Sequence, residues 1–445
     1  MSAAGAGAER ARRRLLVVCY FYPPLAGGGV HRVLGFTRHL PRHGWDCSVV
    51  CAGEEDYWVS DPTLEIPGGT EVIRARGGSG LSALRRAGGA AGGRRSGRSF
   101  AGLRAMSDWW LLPDSYAGWA RRAADAARRR IAAGGIDAVL SSSPPDSAHL
   151  AGLAVRDPAR PWVADFRDPW VALHFRRPPT AWHRARHAAL ERRVLESADF
   201  VLAASRTHAD DLRARAAQPL ESRARLALRR LEHLPNGFEP EAAAGTGAAT
   251  APDATHFTLA FTGTLSQMPD THVFLEALHD LLARHPEARR RVRARLAGPF
   301  DVDYEDRATA LGLTGIVELT GPLAHAGTRA LQRGADLLLL WKPAGDGFRT
   351  MVPGKLYEYL DTGRPVLALL DEDDEAAALV RRAGGEVVPP GRREPLLATL
   401  ERRYLAWKDG ARVADERPAW IEEHTRARLA GRLAALLDDL VDARA

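Results

Sequence analysis

Leu15-Leu16-Val17-Val18-Cys19-Tyr20-Phe21-Tyr22-Pro23-Pro24-Leu25-Ala26-Gly27-Gly28-Gly29 is the stretch that decides the class of fold. The run from Leu15 to Phe21 is apolar without alternation and rich in branched and aromatic side chains. Such a run predicts a parallel strand buried on both faces. The prolines and glycines then force a turn. From Val30 to His39 the apolar residues Val30, Val33 and Leu34, continued by Leu40, fall on one helical side. Cys47-Ser48-Val49-Val50-Cys51 is a second strand. Strand, glycine turn, helix and strand open a doubly wound α/β domain, in which ligands bind beyond the carboxyl ends of the strands.

The same alternation continues outward. A helix is expected over 114–131, then a strand at Ala138-Val139-Leu140 ending in Ser141-Ser142-Ser143-Pro144-Pro145. Trp162-Val163-Ala164 is a strand followed by Asp165-Phe166-Arg167-Asp168, 182–197 a helix, and 200–205 a strand. Residues 241–255 are small and featureless and read as a junction. After it the pattern restarts, with strands at 258–262, 293–297, 317–321, 335–340, 366–370 and 386–388. The last stretch, Ile421 to Leu440, has the spacing of one amphipathic helix. The boundaries read as a first domain over 14–235, a second over 236–412, and a C-terminal helical segment over 413–445 that packs back on the first half.

Composition sets the outer limits. A chain of 445 residues makes two large domains or three small ones at about 100–200 residues each. Hydrophobic residues at 45% and charged residues at 26% exclude a disordered or collagen-like chain. The net charge of +7 favours anionic partners. Its distribution is uneven. Residues 74–104 hold eight arginines and no acid, which reads as a flexible basic loop or a weak helix, suited to an acidic membrane surface or to no partner at all. Arginine is the default cation, and the lysines are Lys342, Lys355 and Lys408 alone. Cys19, Cys47 and Cys51 have no metal-ligand spacing and fit a reducing cytoplasm. The run after Arg14 is too short to span a bilayer. The expectation is a cytoplasmic protein, at most peripheral at the inner membrane face. Nucleic acid is not expected as a partner, because 55 acids accompany the cations and no binding motif is present.

Two features carry candidate chemistry. The Gly27-Gly28-Gly29 turn, between a strand and a helix, lets backbone N–H groups approach a phosphate or sugar, and equally suits a plain tight turn. The stronger one is Pro353-Gly354-Lys355-Leu356-Tyr357-Glu358-Tyr359-Leu360-Asp361-Thr362-Gly363-Arg364-Pro365. Lys355 and Glu358 lie three apart, on one face of a helix's first turns. A carboxylate there accepts both hydroxyls of a ribose. A lysine and a helix N-terminus take a diphosphate. The same pair also suits a surface ion pair.

Taken together these motifs resemble a GT-B glycosyltransferase of the family-4 type, which uses nucleotide-sugar donors. The matching pieces are Tyr22-Pro23-Pro24 with the glycine turn, Pro235-Asn236-Gly237, Phe261-Thr262-Gly263-Thr264-Leu265, Leu296-Ala297-Gly298-Pro299, and the segment from Pro353 to Pro365. The resemblance implies an α/β architecture of two facing Rossmann-like domains (GT-B) with a C-terminal helix. It implies retaining transfer from a nucleoside diphosphate sugar to an acceptor hydroxyl, with the sugar nucleotide as co-substrate, no other cofactor and no metal. The acceptor would be lipid-linked or soluble. By resemblance, donor contacts fall on Gly28, Gly29, Asn236, Thr262, Gly263, Gly298, Lys342, Arg349, Met351, Val352, Lys355 and Glu358, with Glu358 on the ribose. Arg167, Asp168 and Asp165 would stand near the reacting centre. His149, Trp109 and Trp110 would face the acceptor.

The sequence departs from the family in three places. Thr350 occupies the first position of the Glu-x7-Glu pair whose second member is Glu358. The stretch Thr264 to Asp270 lacks the cations that often follow the first C-terminal strand, so Lys342, Arg349 or Lys355 must supply the charge, Lys355 first. Arg167 stands where many members have a histidine, beside Asp165 and Asp168. An arginine stabilises a departing diphosphate or binds an anionic acceptor but is no base, and an Asp–Arg structural pair fits the same residues. A GT-B epimerase and a binding-only relative are the alternatives to a transferase.

Overall fold

The computed structural model describes residues 12–25, 28–56, 60–77, 109–171, 178–217, 230–240, 254–265, 271–300, 302–343, 345–411 and 416–444. Its contacts form two compact units, Met1–Pro235 with Arg426–Ala445, and Asn236–Thr425.

The N-terminal unit holds a seven-stranded sheet, every neighbouring pair parallel. Its strands are β1 (Arg13–Cys19), β2 (Trp45–Ala52), β3 (Glu71–Ala75), β4 (Ala138–Ser143), β5 (Trp162–Phe166), β6 (Phe200–Ala203) and β7 (Leu231–His233), in the order 3-2-1-4-5-6-7. The order reverses between β1 and β4, which places the crevice of a doubly wound sheet at their carboxyl ends. Leu15 to Val18 are fully buried because both faces of β1 are covered. Leu16, Val18 and Tyr20 pack in one layer with Trp119, Ala123 and Ala127. Leu15, Val17 and Cys19 pack in the other with Val33, Phe36, Leu429 and Leu433.

The C-terminal unit holds a six-stranded sheet, again parallel throughout. It is built from β8 (Phe257–Thr262), β9 (Val292–Ala297), β10 (Val317–Gly321), β11 (Leu337–Trp341), β12 (Val366–Leu369) and β13 (Glu386–Val388), in the order 10-9-8-11-12-13. Its switch point lies between β8 and β11. The helix that matters for the site, Gly354–Asp361, runs from the carboxyl side of β11 back toward β12 and buries Leu356, Tyr357, Tyr359 and Leu360.

Two expectations change. The C-terminal stretch is not one helix. Ala419–His424 is a 3-10 turn, and the α-helix runs from Arg426 to Asp442. Thr425 between them is extended, held by a bridge to Phe238 and by the Phe238 N–H donating to the His424 carbonyl at 3.2 Å. The 3-10 turn lies in the C-terminal unit. The helix lies in the N-terminal one, against the helix His31–His39, where Gly35 leaves room for the stem of Arg426. Residues 74–104 are also not a loop from their start. Arg74 lies in β3, and its guanidinium donates to the carbonyls of Pro23 at 2.6 Å and Ala52 at 3.4 Å. Residues 78–104 of that segment lie outside the described residues. Among the described residues no helix is long and apolar enough to cross a membrane.

Candidate functional site

In the C-terminal unit the site forms from three strand ends and one helix start. Thr262 closes β8 and Gly263 follows with φ of 135°. Ala297 closes β9 and Gly298 follows with φ of 136°. Both values favour glycine. At Gly298 a side chain is also excluded by space, because a Cβ there would lie 1.9 Å from the Gly263 carbonyl oxygen. The two glycines therefore let backbone pass against backbone beside the sheet's switch point.

Lys355 reaches into the gap that results. Its Nζ lies 3.9 Å from the centre of the Phe261 ring and 2.7 Å from where a Cβ on Gly263 would be. Among the described residues no carboxylate or hydrogen-bond acceptor engages it. Burial without a counter-ion pushes its ammonium down to about 7. The helix start beside it, with Pro353 at the cap, has no side-chain cap. An unpaired cation, an uncapped helix N-terminus and glycine turns form an anion site by ordinary electrostatics.

Glu358 lies one turn along the same helix. Its Oε2 accepts from Gln332 Nε2 at 3.4 Å, and the same amide donates to Thr262 Oγ1 at 3.0 Å. Arg329 donates to the Glu358 carbonyl at 2.7 Å and pairs with Asp361. Tyr359 Oη accepts from the Thr262 N–H at 2.8 Å and so ties the helix to the end of β8. These contacts fix the carboxylate beside the strand end.

Lys342 has a different task. Its ammonium pairs with Asp374 and donates to the carbonyls of Phe348 at 2.7 Å and Met351 at 2.9 Å. All three N–H bonds are used, so the expectation that Lys342 binds the diphosphate is corrected. It fastens the loop instead. The carboxylates beside it hold the same loop. Arg349 pairs with Asp373, and the Gly345 N–H donates to Asp371 at 3.2 Å. Burial lowers the Lys342 ammonium and raises the Asp374 carboxyl, while the charge of each restrains the shift of the other. Lys342→Met strands a buried carboxylate and frees the Phe348–Met351 backbone. The expected loss is about 3–5 kcal/mol, read as a lower melting temperature of the C-terminal unit.

In the N-terminal unit the residues after β5 are tied into the sheet. Asp165 is fully buried and takes a bidentate pair from Arg32, with Nε at 3.0 Å and Nη2 at 2.8 Å, plus the Ser142 hydroxyl at 2.8 Å. Arg32 also donates to the Pro235 carbonyl at 2.8 Å. Asp165 is therefore half of a structural ion pair, and its partner is Arg32 rather than Arg167. Arg167 is buried and donates to three carbonyls, Ser143 at 2.5 Å, Pro144 at 3.1 Å, and Gly29. It clamps the glycine turn after β1 to the end of β4 across the switch point. Asp168 is half-buried and makes no hydrogen bond or ion pair among the described residues. Burial raises its carboxyl and the nearby Arg167 limits the rise.

His149 is fully buried, its ring tilted against Phe166 with centroids 4.2 Å apart and Nδ1 bonded to Ser141 Oγ at 2.9 Å. Burial pushes it down to about 3, so it is a neutral core histidine. Its expected acceptor contact is corrected, because no part of it reaches the surface. Trp109 and Trp110 are 53% and 84% exposed, and Trp182 is 59% exposed. Trp109 and Trp182 both set their rings edge-on to His183.

The comparisons with known proteins agree on the fold. Residues 27–223 match the family described as the glycosyl transferase 4-like domain. Over its whole length the chain shares the GT-B fold of known glycosyltransferases. A sucrose-phosphate synthase from Thermosynechococcus elongatus superposes with a TM-score of 0.66 at 14% identity, covering 97% of this chain and 100% of that one. WaaG, a glycosyltransferase involved in lipopolysaccharide biosynthesis, gives 0.61 at 16% identity, covering 95% and 99%. Anabaena HepE, solved in complex with UDP-glucose, gives 0.59 at 16% identity, covering 96% and 99%. No curated protein matches the sequence.

The C-terminal unit gathers Thr262, Gly263, Gly298, Lys355 and Glu358 at one switch point. Met351 is half-buried, Val352 is buried, and both lie in the loop that Lys342 holds. Asn236 is half-buried where the C-terminal unit begins. Gly28 and Gly29 belong to the N-terminal unit. Gly28 has open space around its Cα, and Gly29 packs on Phe21 and Arg167. Sequence reasoning missed Arg32, Arg329, Gln332, Tyr359 and Asp374. Arg32 and Asp165 are 133 positions apart, and Gln332 and Thr262 are 70 apart. Only the fold brings such partners together. Among the described residues no group of three or more His, Cys, Asp or Glu side chains is placed to hold a metal ion.

Proposed function

We propose that the enzyme transfers a sugar from a nucleoside diphosphate sugar to an acceptor hydroxyl with retention of anomeric configuration. The observation that carries this reading is Lys355, a cation without a counter-ion beside two glycine turns and a helix N-terminus, one turn before Glu358. In this assignment the diphosphate lies against Lys355 and the helix start. The ribose hydroxyls are accepted by Glu358, held in place by Gln332 and Arg329. In the same assignment the sugar lies against the loop from Asp346 to Val352. Charge developing on the leaving diphosphate meets a preformed positive site, which is the largest catalytic contribution a protein makes to such a reaction. No metal is required for it. The departing diphosphate then accepts the acceptor's proton on the same face.

Acceptor binding is assigned to the N-terminal unit, with Trp109 and Trp110 as exposed stacking faces and Asp168 as the carboxylate that orients the hydroxyl. The arginine-rich segment 74–104 suits an acceptor carried at an acidic membrane surface, where each cation adds about 1 kcal/mol. The UDP-glucose bound by the fold neighbour HepE supports a sugar nucleotide as donor.

The test is a panel of nucleoside diphosphate sugars offered with and without hydroxyl acceptors. Product formed only with acceptor supports transfer. Donor turned over equally without acceptor favours epimerisation, and binding without turnover favours a binding-only protein. Glu358→Ala is expected to raise the donor KM roughly tenfold or more through loss of the ribose bonds, with a smaller change in kcat. An unchanged donor KM would remove Glu358 from the nucleotide site.

A further inference from the structure

We propose that Lys355 is a modification site that takes an acyl group from acyl phosphates, and that the acylated side chain closes the donor site. The second half rests on the donor reading above, and the first does not.

The argument starts from the three lysines of the chain. Lys342 has its ammonium occupied by Asp374 and two carbonyls. Lys408 is ion-paired to Glu287 at 2.7 Å, which holds its proton more tightly than usual. Lys355 is engaged by no acid or acceptor among the described residues. Its Nζ lies over the apolar face of Phe261, in the gap left by Gly263. Nothing there stabilises a positive charge except the weak field of the ring. The surroundings therefore favour the neutral amine, the nucleophilic form. Burial holds this amine near 7, so about half of it is neutral at that pH, against about one part in 2,500 for an ordinary lysine.

The class of reagent follows from the neighbours. The uncapped helix start at Gly354 and the glycine turns suit a phosphate group. An acyl phosphate docked there sets its carbonyl carbon beside Nζ. The docked phosphate draws part of the amine back to its charged form, and the fraction that stays neutral adds to that carbon so that a C–N bond forms. The bond from carbon to the phosphate oxygen breaks, and phosphate leaves with the electron pair. The nitrogen gives its extra proton to solvent. The product is an uncharged amide that fills the gap and removes the cation a diphosphate needs.

The full chain is incubated with acetyl phosphate at pH 7, and acetylation at the three lysines is followed by peptide mass spectrometry. Lys355 is expected to react roughly ten- to a hundredfold faster than Lys408, since a less basic amine is also a weaker nucleophile, and Lys342 slowest. Equal or faster reaction at Lys408 overturns the proposal. Inorganic pyrophosphate is the second arm, and it is expected to slow Lys355 alone. If Lys355 is labelled selectively and pyrophosphate does not protect it, the modification stands and the donor reading falls. If pyrophosphate binds by calorimetry while the lysines label equally, the donor reading stands and the modification falls. Lys355→Arg keeps the charge and is expected to abolish labelling at that position without changing Lys408.

Discussion

Lys355→Met is expected to stabilise the free protein while weakening donor binding roughly ten- to hundredfold. The two effects share one cause. In the unliganded protein Lys355 is half-buried without a counter-ion, and desolvation takes its pKa from 10.5 to about 7. Between those values the unfolded chain binds a proton that the folded chain sheds. Stability therefore rises with pH across that window. The full penalty is present below pH 7 and vanishes as pH approaches 10.5. Methionine has a similar length and no charge, so the variant should gain most at pH 6 and nothing at high pH. Thermal melts of both proteins at pH 6 and pH 9 measure this directly. A bound diphosphate reverses the balance. It supplies the missing counter-ion, restores the charged form, and gains a hydrogen bond to a charged group, about 1.5–3 kcal/mol. Donor binding in the wild type should take up a proton near neutral pH and weaken as pH rises above 7. In Lys355→Met that dependence should disappear. A variant that loses stability and keeps donor affinity would show that the lysine serves the fold alone. A site that costs stability until its ligand arrives is the trade expected where function sets the residue.

The second large effect concerns the N-terminal unit. Arg32→Ala leaves the Asp165 carboxylate fully buried with only the Ser142 hydroxyl as donor. Breaking such a pair from one side costs about 3–5 kcal/mol. In a unit of this size that lowers the melting temperature by roughly 6–20 °C. The double variant Arg32→Met with Asp165→Leu removes both charges and should recover most of the loss. Circular dichroism melts of the single and double variants check it. A double variant as unstable as Arg32→Ala would mean the pair contributes packing or backbone anchoring beyond its charge. The Pro235 carbonyl, which Arg32 also holds, is the place to look.

Much of the fold was legible in local pattern. Leu15 to Val18 read as a strand buried on both faces because no polar residue interrupts them, and the structure covers both faces. The glycines after β8 and β9 read as turns, and both adopt positive φ. Strand β3 was missed because Glu71-Val72-Ile73-Arg74-Ala75 is short and ends among arginines, while its pairing to β2 is a property of the sheet. The break at Thr425 was missed because residues 421–440 keep helical spacing, and the contact that holds Thr425 extended comes from Phe238. At the site, Lys355 and Glu358 were legible because three positions on a helix is a local relation. Lys342 was misread because its position in the sequence beside the loop says nothing of Asp374, 32 residues later. His149 was misread because a histidine near a strand end looks the same whether Phe166 covers it or solvent does.

By itself, then, the sequence determined two α/β halves, the turns at the ends of their strands, and the helix that carries Lys355 and Glu358. These follow from periodicity, from glycine's freedom at positive φ and from helical spacing, all of which act over a few residues. The tertiary structure alone decided which charges are free. Arg32 took Asp165, three carbonyls took Arg167, and Asp374 took Lys342. Lys355 kept its charge unpaired. Ion pairing depends on distances that only a folded chain fixes, and it is the unpaired charge that marks the site.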